Sequence, residues 1–286
     1  MTSHFSLADL VRIALSEDVG PGDWTTRWTV PAATRAEGEV VAKAPGVLAG
    51  LEAAVECFRQ VDAELRVELL CADGDAMSTG ATVLRVHGEA RSILTAERVC
   101  LNLLQHLSGV ATLTQRYVAA VRGTGARVVD TRKTTPGMRA LQKAAVRAGG
   151  GANHRFGLHD MVLIKDNHIA AAGGITAAVK AVRRENRSGL RVEVETTTLS
   201  EVDEALRLQV DRIMFDNMTV PLLRDAVARV RSSRGPRPET EASGGIILET
   251  ISAVAETGVD FISVGALTHS VPALDLSLRL TGIGKE

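Results

Sequence analysis

Between residues 130 and 266 the chain carries six short clusters of polar residues or glycine. They are Asp130-Thr131-Arg132-Lys133, Lys165-Asp166-Asn167-His168, Glu193-Val194-Glu195, Asp216-Asn217, Ser243-Gly244-Gly245 and Gly265-Ala266. The first two and the segment joining them are basic, with Arg132, Lys133, Arg139, Lys143, Arg147, His154, Arg155 and Lys165. A planar guanidinium donates two parallel hydrogen bonds to a carboxylate, so such a set suits a small polyanion. Arg155 follows Gly149-Gly150-Gly151 and Asn153-His154, a loop with the backbone freedom to approach a ligand. Arg139, Lys143 and Arg147 recur every four residues, which predicts one solvated stripe of a helix. The two later glycine-bearing clusters can turn backbone N–H groups toward a phosphate. Glu195 and Asp216, far apart in sequence, suit the hydroxyls of a ribose or a metal-bound pyrophosphate.

These clusters share a position as well as a chemistry. Strand candidates run over 127–130, 161–165, 191–195, 212–216, 239–243 and 260–264, and each cluster closes one of them. Helical stretches follow the first five, so the strands are expected to be parallel with helical crossovers. Six units without a dinucleotide fingerprint point to an incomplete α/β barrel, with a doubly wound open sheet as the alternative. Barrel active sites are built where the strand ends converge, and late strands recurrently hold phosphate. The stretch 232–238 reads as a surface loop. Upstream the pattern differs. Ser6 and Asp9 can cap a helix over 7–17, ended by Gly20-Pro21-Gly22-Asp23. Strands are expected at 37–43, 65–71 and 81–88, with a helix at 51–61. From Ser92 a helical spacing of Ile93, Ala96, Val99, Cys100, Leu103, Leu104 and Leu107 predicts a helix closed by Gly109, and then a second helix to about Arg122. The expected domains are therefore 1–108, a small mixed α/β domain, and 109–270, the barrel, with the tail 271–286 packing on the former.

Composition narrows the class. Of 286 residues 45% are hydrophobic, 23% charged and 3% aromatic, and the formal net charge is −1. A core of Val, Leu, Ile and Ala follows, and nucleic acid is not an expected partner. Cys57, Cys71 and Cys100 form no CxxC pair, which predicts buried free thiols and a reducing compartment. The apolar residues near the start are broken by Asp9, Arg12, Glu17 and Asp18, so neither a signal peptide nor a membrane span is expected. A cytoplasmic location is the expectation.

Several of these segments, in order, resemble the signature series of the quinolinate phosphoribosyltransferases. They include Thr95-Ala96-Glu97-Arg98 before Leu101-Asn102, His106-Leu107-Ser108-Gly109, Asp130-Thr131-Arg132-Lys133-Thr134, Asn153-His154-Arg155 after three glycines, and Lys165-Asp166-Asn167-His168. Glu193-Val194-Glu195, Asp216-Asn217, Ser243-Gly244-Gly245 and Val264-Gly265-Ala266-Leu267-Thr268-His269 continue it. The resemblance covers roughly 10–280 and implies an N-terminal α/β sandwich joined to an incomplete barrel, working as a homodimer or larger assembly. It implies transfer of phosphoribose from phosphoribosyl pyrophosphate to quinolinate with loss of CO2, in the presence of Mg²⁺ bound mainly through the substrate's pyrophosphate. It further implies that Arg132, His154, Arg155 and Lys165 hold the quinolinate carboxylates, helped by Arg98 of the partner subunit, with Thr131 in the same turn. Lys133 would reach the pyrophosphate or phosphate, and Glu195 and Asp216 the ribose hydroxyls. Ser243, Gly244, Gly245, Val264, Gly265 and Ala266 would form the phosphate turns, and His168 and His269 receive no role. Lys133, Lys165, Glu195 and Asp216 are the expected catalytic set. Thr196-Thr197-Thr198 departs from the family's usual apolar-then-polar continuation. Other readings of the same residues are a phosphoribosyltransferase for a monocarboxylate, a Schiff-base aldolase using Lys133 or Lys165, and a nucleotide-binding protein without turnover.

Overall fold

The protein is described from a computed structural model covering residues 6–284. Its strands are β1 (Arg35–Ala42), β2 (Gly46–Val47), β3 (Arg66–Leu69), β4 (Ala76–Met77), β5 (Thr82–Glu89), β6 (Arg127–Val129), β7 (Val162–Ile164), β8 (Val192–Thr196), β9 (Arg212–Asp216), β10 (Glu239–Ser243), β11 (Phe261–Ser263) and β12 (Leu276–Gly284). The chain divides into two compact units. One comprises Met1–Gln115, Thr134–Gly150 and Ser270–Glu286, and the other Arg116–Lys133 and Gly151–His269.

In the first unit a four-stranded sheet runs β12-β1-β5-β3, antiparallel throughout. The helix Leu7–Val19 starts with the capping box read from the sequence: the Asp9 backbone N–H donates to the Ser6 hydroxyl at 3.1 Å, and the Ser6 backbone N–H to the Asp9 carboxylate at 3.2 Å. Val11 and Leu15 of this helix, with Cys57 and Phe58 of the helix Leu51–Val61, join Val40, Val86 and Ile93 in one apolar core. Full burial of side chains this size stabilises by about 1.5–3 kcal/mol each, which sets which face turns inward.

Two expectations fail here. Gly109 does not end a helix, because one helix of 31 residues runs from Ala90 to Ala120. A Cβ at position 109 would lie 2.3 Å from the Pro272 carbonyl oxygen, so the glycine permits a close backbone approach instead of a stop. Nor is the stripe Arg139, Lys143, Arg147 solvated along its length. Arg147 is exposed and Arg139 half-buried, but Lys143 is 2% exposed. The helix Arg139–Ala148 turns Gln142, Lys143, Ala145 and Val146 inward, and Gln142 bonds His106 at 2.7 Å. Of the thiols, Cys57 and Cys100 are buried and Cys71 half-buried, all three free.

The second unit is a six-stranded parallel sheet ordered β6-β11-β10-β9-β8-β7. Read from β7, the strands follow chain order and end on β6. That is the cyclic order of a barrel with one open seam, between β6 and β7, whereas a doubly wound sheet reverses direction at a switch point. Among the described residues no helix is long and apolar enough to cross a membrane.

Candidate active site

Side chains two apart on a strand share a face, so each barrel strand sends a ladder of residues inward. Strand β8 contributes Glu193 and then Glu195, β9 Arg212, Met214 and Asp216, and β10 Glu239, Glu241 and Ser243. Register aligns them in levels, with Ser243 beside Asp216, Glu241 beside Met214, and Glu193 beside Arg212. The upper level opens into a cavity of about 600 Å³.

Ten of the residues singled out in the sequence line that cavity: Thr131, Arg132, Lys133, His154 and Arg155 on one side, and Lys165, Asp216, Ser243, Gly244 and Gly245 on the other. Arg132 and Arg155 are close enough for the charge of one to act on the other. Burial and then the Arg132 charge lower the pKa of Arg155. Asp216 is pushed up, by burial and then by the neighbouring Glu195 carboxylate. Glu195, just below the rim and almost fully buried, accepts from Lys165 Nζ at 2.8 Å. The Asp216 carboxylate accepts from Asn217 Nδ2 at 2.6 Å, and the Asn217 backbone N–H donates to the Ser243 carbonyl at 2.9 Å. Gly244, at φ +90°, could carry no Cβ without meeting Asn217 Oδ1 at 2.2 Å. This glycine is needed where two strand ends close on one another. On the opposite side Lys133 is held by its backbone, its N–H donating to Thr131 Oγ1 and its carbonyl accepting from Thr268 Oγ1.

The remaining candidates stand off the cavity wall. Val264 is buried behind it, and Ala266 begins a one-turn helix. Gly265 lies where an added Cβ would come 3.2 Å from the Lys133 side chain. Arg98 belongs to the helix Ala90–Ala120 in the first unit; its side chain is 57% exposed and 3.9 Å from Glu97. His168 accepts from the Lys165 backbone N–H at 3.0 Å, a helix-start role, and His269 is exposed.

Beside His154 stand three charged residues absent from that set, Glu193, Glu241 and Arg212, of which Glu241 also lines the cavity. His154 turns Nε2 toward the Glu193 and Glu241 carboxylates, at 3.1 and 3.4 Å, and Arg212 donates to Glu241 at 3.0 Å and to Glu239 at 2.8 Å. Glu193 and Glu241 are fully buried. The Arg155 backbone N–H on Nδ1 leaves the ring's proton on Nε2, where it faces both carboxylates. The available signal was a glutamate two residues before a polar residue at the strand's end, Glu193 before Glu195 and Glu241 before Ser243.

The chain matches the quinolinate phosphoribosyl transferase N-terminal domain over residues 23–108 and the C-terminal domain over 110–279. It is 46% identical to the carboxylating nicotinate-nucleotide pyrophosphorylase of Oryza sativa subsp. japonica, over 96% of this chain and 78% of that protein. The same identity relates it to the probable carboxylating nicotinate-nucleotide pyrophosphorylase of Synechocystis, over 93% and 90%. NadC from Streptococcus pyogenes superposes with a TM-score of 0.92 at 41% identity, covering 97% of each chain. With both domains matched in order, and the strand ends gathering the expected residues around one cavity, the chain belongs to the quinolinate phosphoribosyltransferase family.

Proposed function

We propose that the barrel mouth binds quinolinate against Arg132, Arg155 and Lys165, and phosphoribosyl pyrophosphate against Asp216, Glu195 and the Ser243-Gly244-Gly245 turn. The reaction is that of the family: phosphoribose passes to the pyridine nitrogen, and nicotinate mononucleotide, CO2 and pyrophosphate leave. The observation that carries the substrate assignment is the pairing of Arg132 with Arg155, two like charges held together in a part-buried cavity. A dianion with adjacent carboxylates relieves that repulsion, and a monocarboxylate leaves one guanidinium uncompensated.

The chemistry needs positioning and charge stabilisation, and no nucleophilic side chain. As the pyrophosphate departs, positive charge grows at the anomeric carbon and negative charge on the leaving group. Lys133 stands on the cavity wall to meet the latter, while Asp216 and Glu195 hold the ribose hydroxyls in line. The new N-glycosyl bond makes the ring nitrogen cationic. The adjacent C2–carboxylate bond then breaks with its electron pair left on C2, and a proton from water completes the product.

The residues fit Mg²⁺ carried in by the donor better than a caged ion. Two carboxylates line the cavity, Asp216 and Glu241, and His154 and Arg212 already face Glu241, so Asp216 would be the protein's carboxylate for such an ion and pyrophosphate and water would supply most of the other oxygens. Held in that way, the ion would supply neutralisation of the departing charge. A Schiff-base lysine is disfavoured, because Lys165 is ion-paired with Glu195, where a nucleophilic amine needs a depressed pKa. Arg98 belongs, in this reading, to the mouth of the partner subunit in a homodimer. The three free thiols support a reducing compartment such as the cytoplasm.

The test is product formation from quinolinate, phosphoribosyl pyrophosphate and Mg²⁺, beside nicotinate. CO2 and pyrophosphate should appear in equal amounts. Nicotinate should be poorer by at least about a hundredfold, roughly 3 kcal/mol for cations left unmatched. Equal use of the two acids would refute the diacid assignment.

A further inference from the structure

The level beneath the mouth holds the groups that the reaction above leaves unused. His154 comes from the loop after the first barrel strand, Glu193 from β8, Glu241 from β10 and Arg212 from β9. The same loop is tied to Asp130, whose carboxylate accepts from the His154 backbone N–H at 2.9 Å and from Asn153 Nδ2 at 2.6 Å. His154 Nδ1 in turn accepts the backbone N–H of Arg155 at 2.7 Å, and Arg155 Nη1 donates to the Met161 carbonyl at 3.0 Å. The ring is thus a link with one nitrogen on the buried carboxylates and the other on the residue that carries a substrate cation.

We infer that Glu193 and Glu241 are positioning residues: they clamp the His154 imidazole with Nε2–H turned into the barrel, and through Nδ1 that ring sets the place of Arg155 at the mouth. Arg212 keeps the clamp from being an uncompensated pair of buried acids, since it donates to the same Glu241 oxygen that His154 Nε2 faces. His154, Glu193 and Glu241 also have the spacing of metal ligands. Two features favour a proton over a cation there. Arg212 already places positive charge on Glu241. And a metal on Nε2, with Nδ1 accepting a backbone N–H, would need an imidazole stripped of both protons, whereas metal-bound histidines donate from the second nitrogen.

The inference rests on the mouth being the quinolinate site, and the experiment separates the two. Wild-type turnover of quinolinate tests the site. Protein labelled with ¹⁵N in the histidine ring, unliganded, tests the clamp, with the His154 signal assigned by its loss in His154→Gln. The expected spectrum has a proton on Nε2. Glu193→Gln and Glu241→Gln should raise KM for quinolinate by about tenfold, while KM for phosphoribosyl pyrophosphate stays within about twofold and kcat at saturation within about threefold. A role in packing alone would lower the melting temperature and move both KM values together or neither. The inference is overturned by that pattern, by a wild-type ring unprotonated at Nε2, or by stoichiometric metal that His154→Gln abolishes. Should neither glutamate variant fold, the wild-type ring signal and metal content decide.

Discussion

Two levels of one barrel interior treat charge in opposite ways. In the lower level each acid faces a donor of the protein: Arg212 lies between Glu239 and Glu241, and the His154 ring against Glu193 and Glu241. In the upper level Lys165 meets Glu195, yet Arg132 also stands by Arg155 and Asp216 by Glu195. The two sets alternate along the same strands, Glu193 with Glu195 and Arg212 with Asp216, so strand propensity does not explain the contrast. A matched level is satisfied by the protein itself, whereas a mismatched level is completed by a ligand. The position of the mismatches then says what the ligand must be: anionic where the arginines meet, and rich in hydroxyl or cationic groups where the carboxylates meet.

The comparison breaks if the upper level proves as self-sufficient as the lower. The largest expected effect is from Arg155→Ala, which should cut kcat/KM for quinolinate by at least about a hundredfold, near 3 kcal/mol, and leave the affinity for phosphoribosyl pyrophosphate almost unchanged. Asp216→Ala should do the reverse. Titration calorimetry of each ligand against each variant measures both, and an identical pattern would merge the two halves of the mouth. Next in size is a mixing experiment. Arg98→Ala and Arg132→Ala, each nearly inactive alone, should recover about a quarter of wild-type activity when co-refolded in equal amounts, because half the dimers are mixed and each has one intact site. Confirmed mixed dimers without recovery would confine Arg98 to its own chain.

Smaller effects sharpen the picture. Gly244→Ala forces a Cβ against Asn217 at positive φ, a strain of about 1–3 kcal/mol, so phosphoribosyl pyrophosphate should bind about tenfold more weakly or worse while quinolinate affinity holds. Asp216→Asn should abolish turnover yet raise the melting temperature at neutral pH. Asp216 has a folded pKa above its unfolded value, so its ionisation weakens the fold only as pH rises through that raised value. The melting advantage of the asparagine should therefore shrink as pH falls and vanish below the ordinary aspartate range. An advantage constant across pH would show that charge is not its cause.

Much of the upper level was legible in the sequence, because parallel strands deliver their final residues to one rim and those residues are conspicuous. Lys165 after Met161-Val162-Leu163-Ile164 and Asp216 after Ile213-Met214-Phe215 each follow a short apolar run and stand out against it. The lower level was hidden by its own position. Glu193 and His154 stand in polar clusters of the sequence, but nothing local ties them to Glu241 and Arg212, which lie in other strands that only the register aligns. Gly109 misled for a related reason: local chemistry favours a helix end, and the contact that overrides it, with Pro272, lies 163 positions away in the chain. Lys143 shows the same limit, since a period of four identifies a stripe without saying which way it faces.

The pairing of β12 with β1 bears on the order in which the protein can be made. Val40 meets Leu278 and Ala42 meets Leu276, so the first sheet lacks its edge strand until the ribosome has passed residue 276. The barrel's six strands lie wholly within 127–263 and are complete earlier. Vectorial synthesis therefore presents the catalytic sheet first, while the sheet begun at residue 35 waits unfinished with one edge of β1 unpaired. In the cell that waiting edge is a place for a chaperone, or for a wrong strand, to bind.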